Sequence, residues 1–449
     1  MSAQNNKLAF FGGEAAITEK NEALFHWPII TTKHEEAVLE VLRSGSMSGL
    51  GITIEFEEKY AKNLGRKYGL ASPNGTASIL TALYGLGVGV GDEVIVPSYT
   101  YWASVMQIYS LGATPVFADI EAETLGMDPS DIEHRITPRT KAIVVVHFSG
   151  MPAEMDAIMD IAERNNIKVM EDCSHAHGTR YKGKEVGTFG DVAAFSLMSV
   201  KSFAIGEGGI LFTDDQLIHE RAILFGHYRK HGKIKLEELK RYAGVPVGGL
   251  KNRMNQISSA IGLIHLDMYP GWMAEIDKAM NYFCDQLEAT PGIRTIRPEK
   301  GSGSTKGGWY FPLFKYVPEE LEGLSLTRFS EALQAEGTAC NPGAYSPLHK
   351  HPAFTEMDIY GHGKPTRIAH YKGDDPDALL NQSLPVTEKM NQFVFEAPWF
   401  KHFRKEEIDL HVVAYRKVVA GYNELLAGDD KTKDKDIGSF SSAFGKDDL

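Results

Sequence analysis

Apolar positions along this chain recur in two rhythms. At 54–64 they fall at helical spacing, and 76–84 is a second such stretch, rich in Ala and Leu. Short unbroken apolar runs follow at 93–97, 115–118, 142–148 and 167–170. Amphipathic stretches such as 153–165 separate several of them. That alternation predicts a mainly parallel sheet with helices on both faces, an α/β domain of three layers. Further strands are predicted at 193–196 and 209–213, and the alternation stops near Met268-Tyr269-Pro270. A long helix at 272–287, a strand at 309–314 and helices at 326–336 and 405–426 then predict a smaller α+β domain.

The chain thus divides into a large domain over 1–268, with its N-terminal segment, and a small C-terminal domain over 269–427. Within the latter, 360–382 is polar and reads as an insertion loop. Residues 428–449 are dense in Lys, Asp, Ser and Gly and are expected to be a disordered tail. No internal repeat is evident.

Composition narrows the function. A length of 449 residues suits two domains, and 43% hydrophobic with 24% charged residues is ordinary for a soluble globular protein. The net charge of −12 argues against nucleic acid or a membrane surface as partner. Three widely spaced cysteines, Cys173, Cys284 and Cys340, read as reduced thiols, so a cytoplasmic location is expected. The first residues lack the pattern of a signal peptide, and no apolar run reaches the ~20 residues of a membrane span.

One lysine carries the chemistry. Lys201 stands among Leu197, Met198, Val200, Phe203 and Ile205, which predicts partial burial, and Gly206-Glu207-Gly208-Gly209 follows it. A buried lysine tends to lose its proton, and only the neutral amine attacks a carbonyl. Upstream, Asp172 ends an apolar strand, where ligands of open α/β sheets sit. A lysine that can form a Schiff base and an aspartate that can keep a pyridine nitrogen protonated are what a pyridoxal phosphate enzyme needs. Asn74-Gly75-Thr76-Ala77-Ser78 precedes a helix, where backbone N–H groups and hydroxyls suit a phosphate; the same residues also serve as an ordinary helix cap. Tyr101 follows a strand and can stack on a flat ring or pack in the core. His175 and His177 follow Asp172, but no third ligand completes a metal motif, so no metal is expected. Residues 178–185 nearly match a P-loop, yet Glu185 stands where Ser or Thr is required.

Taken in order, these segments resemble the DegT/DnrJ/EryC1/StrS sugar aminotransferases, a fold-type-I pyridoxal phosphate family. The resemblance runs from about 25 to 427. It is carried by Ser44-Gly45 through Phe56-Glu57, Asn74-Gly75-Thr76-Ala77, Gly91 through Pro97, Glu171-Asp172 with Ala176 and Gly178, Gly190-Asp191, Phe195-Ser196 with Lys201, Gly206 through Gly209, and Leu384-Pro385-Val386 with Glu388. It implies that Lys201 is the Schiff-base lysine and proton shuttle. It implies that Asp172 partners the pyridine nitrogen, that His175 lies beside the phenolic oxygen and that Tyr101 stacks on the ring. Gly75, Thr76 and Ser196 would contact the phosphate. A residue of a second subunit would reach the same phosphate from the segment Gly249 through Met254, with Asn252 or Lys251 in that role. A homodimer with shared sites follows.

The implied activity is amino transfer from glutamate or glutamine to a ketone on a nucleotide-linked sugar or a cyclitol. The alternative is another outcome on the same scaffold, such as an epimerase, dehydratase or oxidase. Relatives that dehydrate carry histidine in place of the lysine, so Lys201 favours transamination. His349 and His351 resemble a loop near the substrate mouth, or are exposed loop histidines.

Overall fold

The computed structural model describes residues 7–19, 21–358, 361, 363–365, 371–375, 378–379 and 382–439. The chain opens with α1 (Thr32–Ser44) and α2 (Gly51–Leu64), then β1 (Tyr68–Ser72), α3 (Gly75–Leu86), β2 (Glu93–Pro97), α4 (Ala103–Ser110) and β3 (Thr114–Ala118). Next come α5 (Pro129–His134), β4 (Thr140–Val146), α6 (Met155–Arg164) and β5 (Lys168–Asp172). A short hairpin of β6 (Arg180–Tyr181) and β7 (Lys184–Glu185) leads to β8 (Val192–Ser196) and β9 (Gly209–Thr213). α7 (Gln216–Gly226), α8 (Glu237–Lys240) and α9 (Gln256–Leu287) complete this half.

Seven of the strands form one sheet in the order β1-β9-β8-β5-β4-β2-β3. β3, β2, β4, β5 and β8 run parallel, and β9 returns antiparallel between β8 and β1. Their side chains alternate between two cores. Ala142, Val144 and Val146 of β4 pack with α3, α4 and α7, while Ile143 and Val145 pack with α2, α6 and α9. A strand buried on both faces needs apolar residues at every position, which is why these segments read as unbroken runs. β1 escapes that reading because Tyr68-Gly69-Leu70-Ala71-Ser72 has neither β-branched residues nor alternation.

The small sheet is antiparallel, ordered β10-β11-β13-β12, from β10 (Ile293–Thr295), β11 (Leu313–Tyr316), β12 (Asn341–Pro342) and β13 (Val394–Glu396). It is covered by α10 (Leu326–Ala335) and the helix Lys405–Ala420. Several expectations differ here. The predicted helix 405–426 breaks at Gly421, where a Cβ would press on Leu8 at 3.1 Å. The predicted strand 309–314 begins only at Leu313, because Trp309 and Phe311 have φ of 53° and 56°. Such backbone costs a bulky residue about 1–3 kcal/mol each and persists only where surrounding structure imposes it.

The boundary expected at 268 does not interrupt the chain. α9 runs through it for 32 residues with Pro270 inside. Proline removes one backbone donor, but the helix is held on both sides: Leu266 packs in the large core, and Met273, Ile276 and Met280 in the small one. The tail also departs from its reading. Asp429 accepts from Ser325 N (2.9 Å), and Asp434 accepts from Leu326 N and Thr327 N (both 2.9 Å). Two carboxylates thus satisfy the open N–H groups at the start of α10 and anchor a stretch whose composition alone predicts disorder. Residues 440–449, and much of the expected 360–382 insertion, lie outside the described residues. Among those residues, no helix is long and apolar enough to cross a membrane.

A carboxylate joins the two halves near the site. Asp119, just beyond β3, accepts from Val386 N (3.0 Å), Thr387 N (2.8 Å) and Thr387 Oγ1 (2.7 Å). Asp119→Ala leaves these buried donors unmet and is expected to lower stability by about 1–3 kcal/mol. A urea midpoint unchanged from the wild type would show that the clamp contributes nothing.

Candidate active site

The parallel strands β4, β5 and β8 end together, with Val146 beside Asp172 and Asp172 beside Ala194. Adjacent residues of a strand face opposite ways, and β5 ends in two acids that use this. Glu171 turns away from the site. It accepts from Gly187 N (2.7 Å), Phe189 N (2.8 Å), Gly190 N (2.7 Å) and His147 Nε2 (3.1 Å). Burial would raise its pKa, but His147 and the Gly190 and Gly187 amides hold it below the ordinary carboxylate value. His147, Glu171 and Cys173 have ligand atoms within 4.8 Å of one another. His147 Nδ1 accepts from Ala153 N (3.1 Å), so Nε2 carries the proton and donates to Glu171. That arrangement is a hydrogen-bond cluster and leaves the imidazole no lone pair for an ion.

Asp172 faces a cavity of about 290 Å³. Its Oδ2 accepts from Ser104 Oγ (2.7 Å) and its Oδ1 from Ser174 N (3.0 Å), which fixes the carboxylate in one orientation. Lys201 enters the same cavity from the loop between β8 and β9 and is only 7% exposed. Burial pushes its pKa down to about 8, while the charge of Asp172 pulls it up. His175 is driven well below its usual value by burial, with the charges of Lys201 and His177 adding to the shift. Its Nδ1 is buried and has no hydrogen-bond partner among the described residues. His177 is engaged elsewhere, with Nε2 donating to Ser196 O at 2.8 Å.

The third wall is the N-terminus of α3. Asn74 caps it through Oδ1, which accepts from Ala77 N at 2.9 Å. Gly75 follows, and a Cβ there would lie 2.6 Å from Ser196 Cβ, so only glycine lets the helix start this close to β8. Gly75, Thr76 and Ser196 line the cavity beneath that helix end, which attracts anions. Tyr101 lines it from the turn before α4 and is 44% exposed.

Gly75, Thr76, Tyr101, Asp172, His175, Ser196 and Lys201 therefore share one cavity. Asn252 does not belong to it. It is buried against its own chain, with Nδ2 donating to Thr81 Oγ1 (3.0 Å) and its backbone N–H to Gly226 O (2.9 Å); Lys251 beside it is exposed. His349 is neither exposed nor in the cavity: it is 2% exposed and bridges Ser98 Oγ (2.7 Å) and Glu388 Oε1 (3.2 Å). His351 Nδ1 accepts from Ala353 N (3.0 Å) and caps a short helix. Sequence reasoning passed over Ser104, Tyr310 and Tyr345. Ser104 lies one residue into the helix that follows Tyr101, and its position near the strand ends was a usable signal. The two tyrosines come from distant loops of the small domain, and no local pattern marks them.

A buried amine and a fixed carboxylate, set at parallel strand ends beside a helix N-terminus, define an α/β enzyme. Such a site suits an anionic group and amine–carbonyl chemistry. Residues 28–414 match the DegT/DnrJ/EryC1/StrS aminotransferase family, and the chain belongs to that family. It is similar to GDP-perosamine synthase of Escherichia coli O157:H7, with 42% identity over 330 residues, 73% of this chain and 86% of that one. It is similar to a putative L-glutamine:3-amino-2,3-dideoxy-scyllo-inosose aminotransferase of Streptoalloteichus tenebrarius, with 33% identity over 78% of this chain and 83% of that one. Among solved structures, the aminotransferase from Psychrobacter cryohalolentis superposes with a TM-score of 0.77 at 28% identity, covering 89% of this chain and 99% of that one. Pyridoxal phosphate is the cofactor the family implies.

The charge of Asp172 favours the protonated form of Lys201. In Asp172→Asn that support is gone, so the amine should deprotonate at a pH below about 8. The check is the pH dependence of Lys201 labelling by an amine reagent in cofactor-free protein; an upward move would contradict it.

Proposed function

We propose that this protein is a pyridoxal phosphate-dependent aminotransferase. It would move an amino group from glutamine or glutamate to a keto group of a nucleotide-linked sugar or a cyclitol. The observation that carries this reading is Lys201 and Asp172 opening on one cavity with the α3 N-terminus. The named activities of the relatives support the substrate classes.

The residues fit the cofactor. Gly75, Thr76 and Ser196 offer backbone N–H groups and hydroxyls to a phosphate. His175 has an orphaned buried Nδ1 for a ring oxygen, and its depressed pKa keeps it neutral. Asp172 would hold a protonated pyridine nitrogen, and Tyr101 would cover the ring. When bound, pyridoxal phosphate supplies a carbonyl carbon for amines and an electron-poor ring that stabilises carbanions.

The chain's own residues do the rest. Lys201, with its pKa at about 8, keeps a useful share of neutral amine near neutrality and can act as nucleophile. When free, its Nζ would take up and return the proton that moves in the exchange. Ser104 and Ser174 keep the Asp172 carboxylate from turning during these steps.

The working unit is proposed to be a homodimer. Val245 (71% exposed), Val247 (47%) and Tyr242 (45%) form an exposed apolar stretch beside Lys251 that suits a partner subunit. With the Asn252 amide engaged by Thr81, Lys251 is the group free to reach a neighbouring phosphate. The three cysteines are free and buried, in keeping with a cytoplasmic protein.

Glutamine alone should convert the absorbance of the loaded enzyme from the pyridoxal to the pyridoxamine form, and Lys201→Ala should abolish turnover. Turnover in that variant at the wild-type rate would refute the assignment. Lys251→Ala is expected to weaken cofactor binding roughly tenfold, about 1.4 kcal/mol, while the protein stays dimeric. Unchanged affinity by fluorescence titration would remove Lys251 from the site.

A further inference from the structure

Tyr310 lies under the amine. The Nζ of Lys201 sits 3.8 Å from the centroid of its ring. Among the described residues, Nζ donates no hydrogen bond to a protein acceptor, so the aromatic face is its closest favourable contact. Ring faces carry partial negative charge and attract ammonium groups, more strongly where water is excluded.

The ring is held with unusual care. Trp309 and Phe311, on either side of it, both take the left-handed backbone. The loop is fastened at each point by a different part of the fold. Trp309 Nε1 donates to Asp277 Oδ1 of α9 (2.8 Å), and Ser149 Oγ donates to Phe311 O (2.7 Å). Gly308 O accepts from Trp399 Nε1 (3.0 Å) and from Ser202 Oγ (3.2 Å). Ser202 is the residue after Lys201. The lysine's own loop is therefore tied to the loop that carries the ring, which sets amine and ring relative to each other. The strained backbone buries Trp309 in the small core, packs Phe311 against the large one and turns Tyr310 between them into the cavity.

We propose that Tyr310 is a further catalytic residue, whose ring face receives the side chain of Lys201 whenever that amine is not covalently engaged and stabilises it while it carries the proton. This rests on the reading of Lys201 as the amine that enters and leaves covalent engagement. The role belongs to the ring and not to the hydroxyl. Other titratable groups facing the cavity are Asp172, His175, Glu207, Tyr101 and Tyr345, with His177 behind them. Of these, Asp172 favours the charged amine, and it is left in place in the test.

The experiment titrates Lys201 in cofactor-free protein. Labelling by a small amine reagent is followed across pH by peptide mass spectrometry, in the wild type, Tyr310→Phe and Tyr310→Leu. Phenylalanine keeps the face and should titrate as the wild type does. Leucine removes it, and the midpoint should fall by about one pH unit. If the ring only kept water away, its loss would hydrate the ammonium and move the midpoint up. An upward move, no move, or a shift in Tyr310→Phe equal to that in Tyr310→Leu each overturns the proposal. Should Tyr310→Leu fail to fold, Ser149→Ala frees the Phe311 carbonyl and should shift the midpoint the same way, and an unmoved midpoint there also overturns it. The titration uses no cofactor, so its failure is distinct from that of the proposed function, which falls if wild-type enzyme shows no absorbance change with glutamine.

Discussion

Withdrawing an ammonium group from water costs several kcal/mol unless its charge is met or its proton given up. Lys201 is under that constraint, and the structure around it answers in both ways. Burial draws the proton off, and the carboxylate of Asp172 partly restores it. The outcome is an amine poised within reach of neutral pH. Everything that buries the amine contributes, from the sheet behind the cavity to the small-domain loops that bring Tyr310 and Tyr345 to its wall.

The two acids at the end of β5 show how one strand serves two purposes. Glu171 faces backward and is consumed by hydrogen bonds from His147 and three amides, which fixes the loop that follows β7. Asp172 faces forward and is held by Ser104 and Ser174. The alternation of a strand separates them, so a carboxylate tied into a loop and one facing the cavity sit side by side without competing for the same donors.

Much of this was legible in the sequence because buried parallel strands must be apolar throughout, and site residues cluster at their ends. Glu93–Pro97 and Gly209–Thr213 fall where the apolar runs placed them. Gly75, Asp172 and Lys201 could be picked out because each is an exception within an apolar or helical context. Legibility failed where structure depends on distant partners. Trp309–Phe311 has the composition of a strand, but contacts of Ser149 and Asp277 with it, and of Ser202 with the preceding Gly308, bend it into a loop. The stretch after 428 has little apolar surface to bury beyond Ile437, yet Asp429 and Asp434 secure it through the open end of α10. Asn252 sits next to the exposed position, and only its bond to Thr81 shows which neighbour points inward.

The passage of α9 from one core into the other has a mechanical meaning. A helix gripped along its length behaves as a beam, and this one carries Pro270-Gly271 where it crosses the seam between the two lobes, a point with one backbone bond fewer and no side chain to pack. Clamshell motion about that seam would concentrate its bending at this pair, while the segments on either side stay gripped by their own cores. That pair is therefore the point of the helix at which the two lobes can shift against each other without loosening either core.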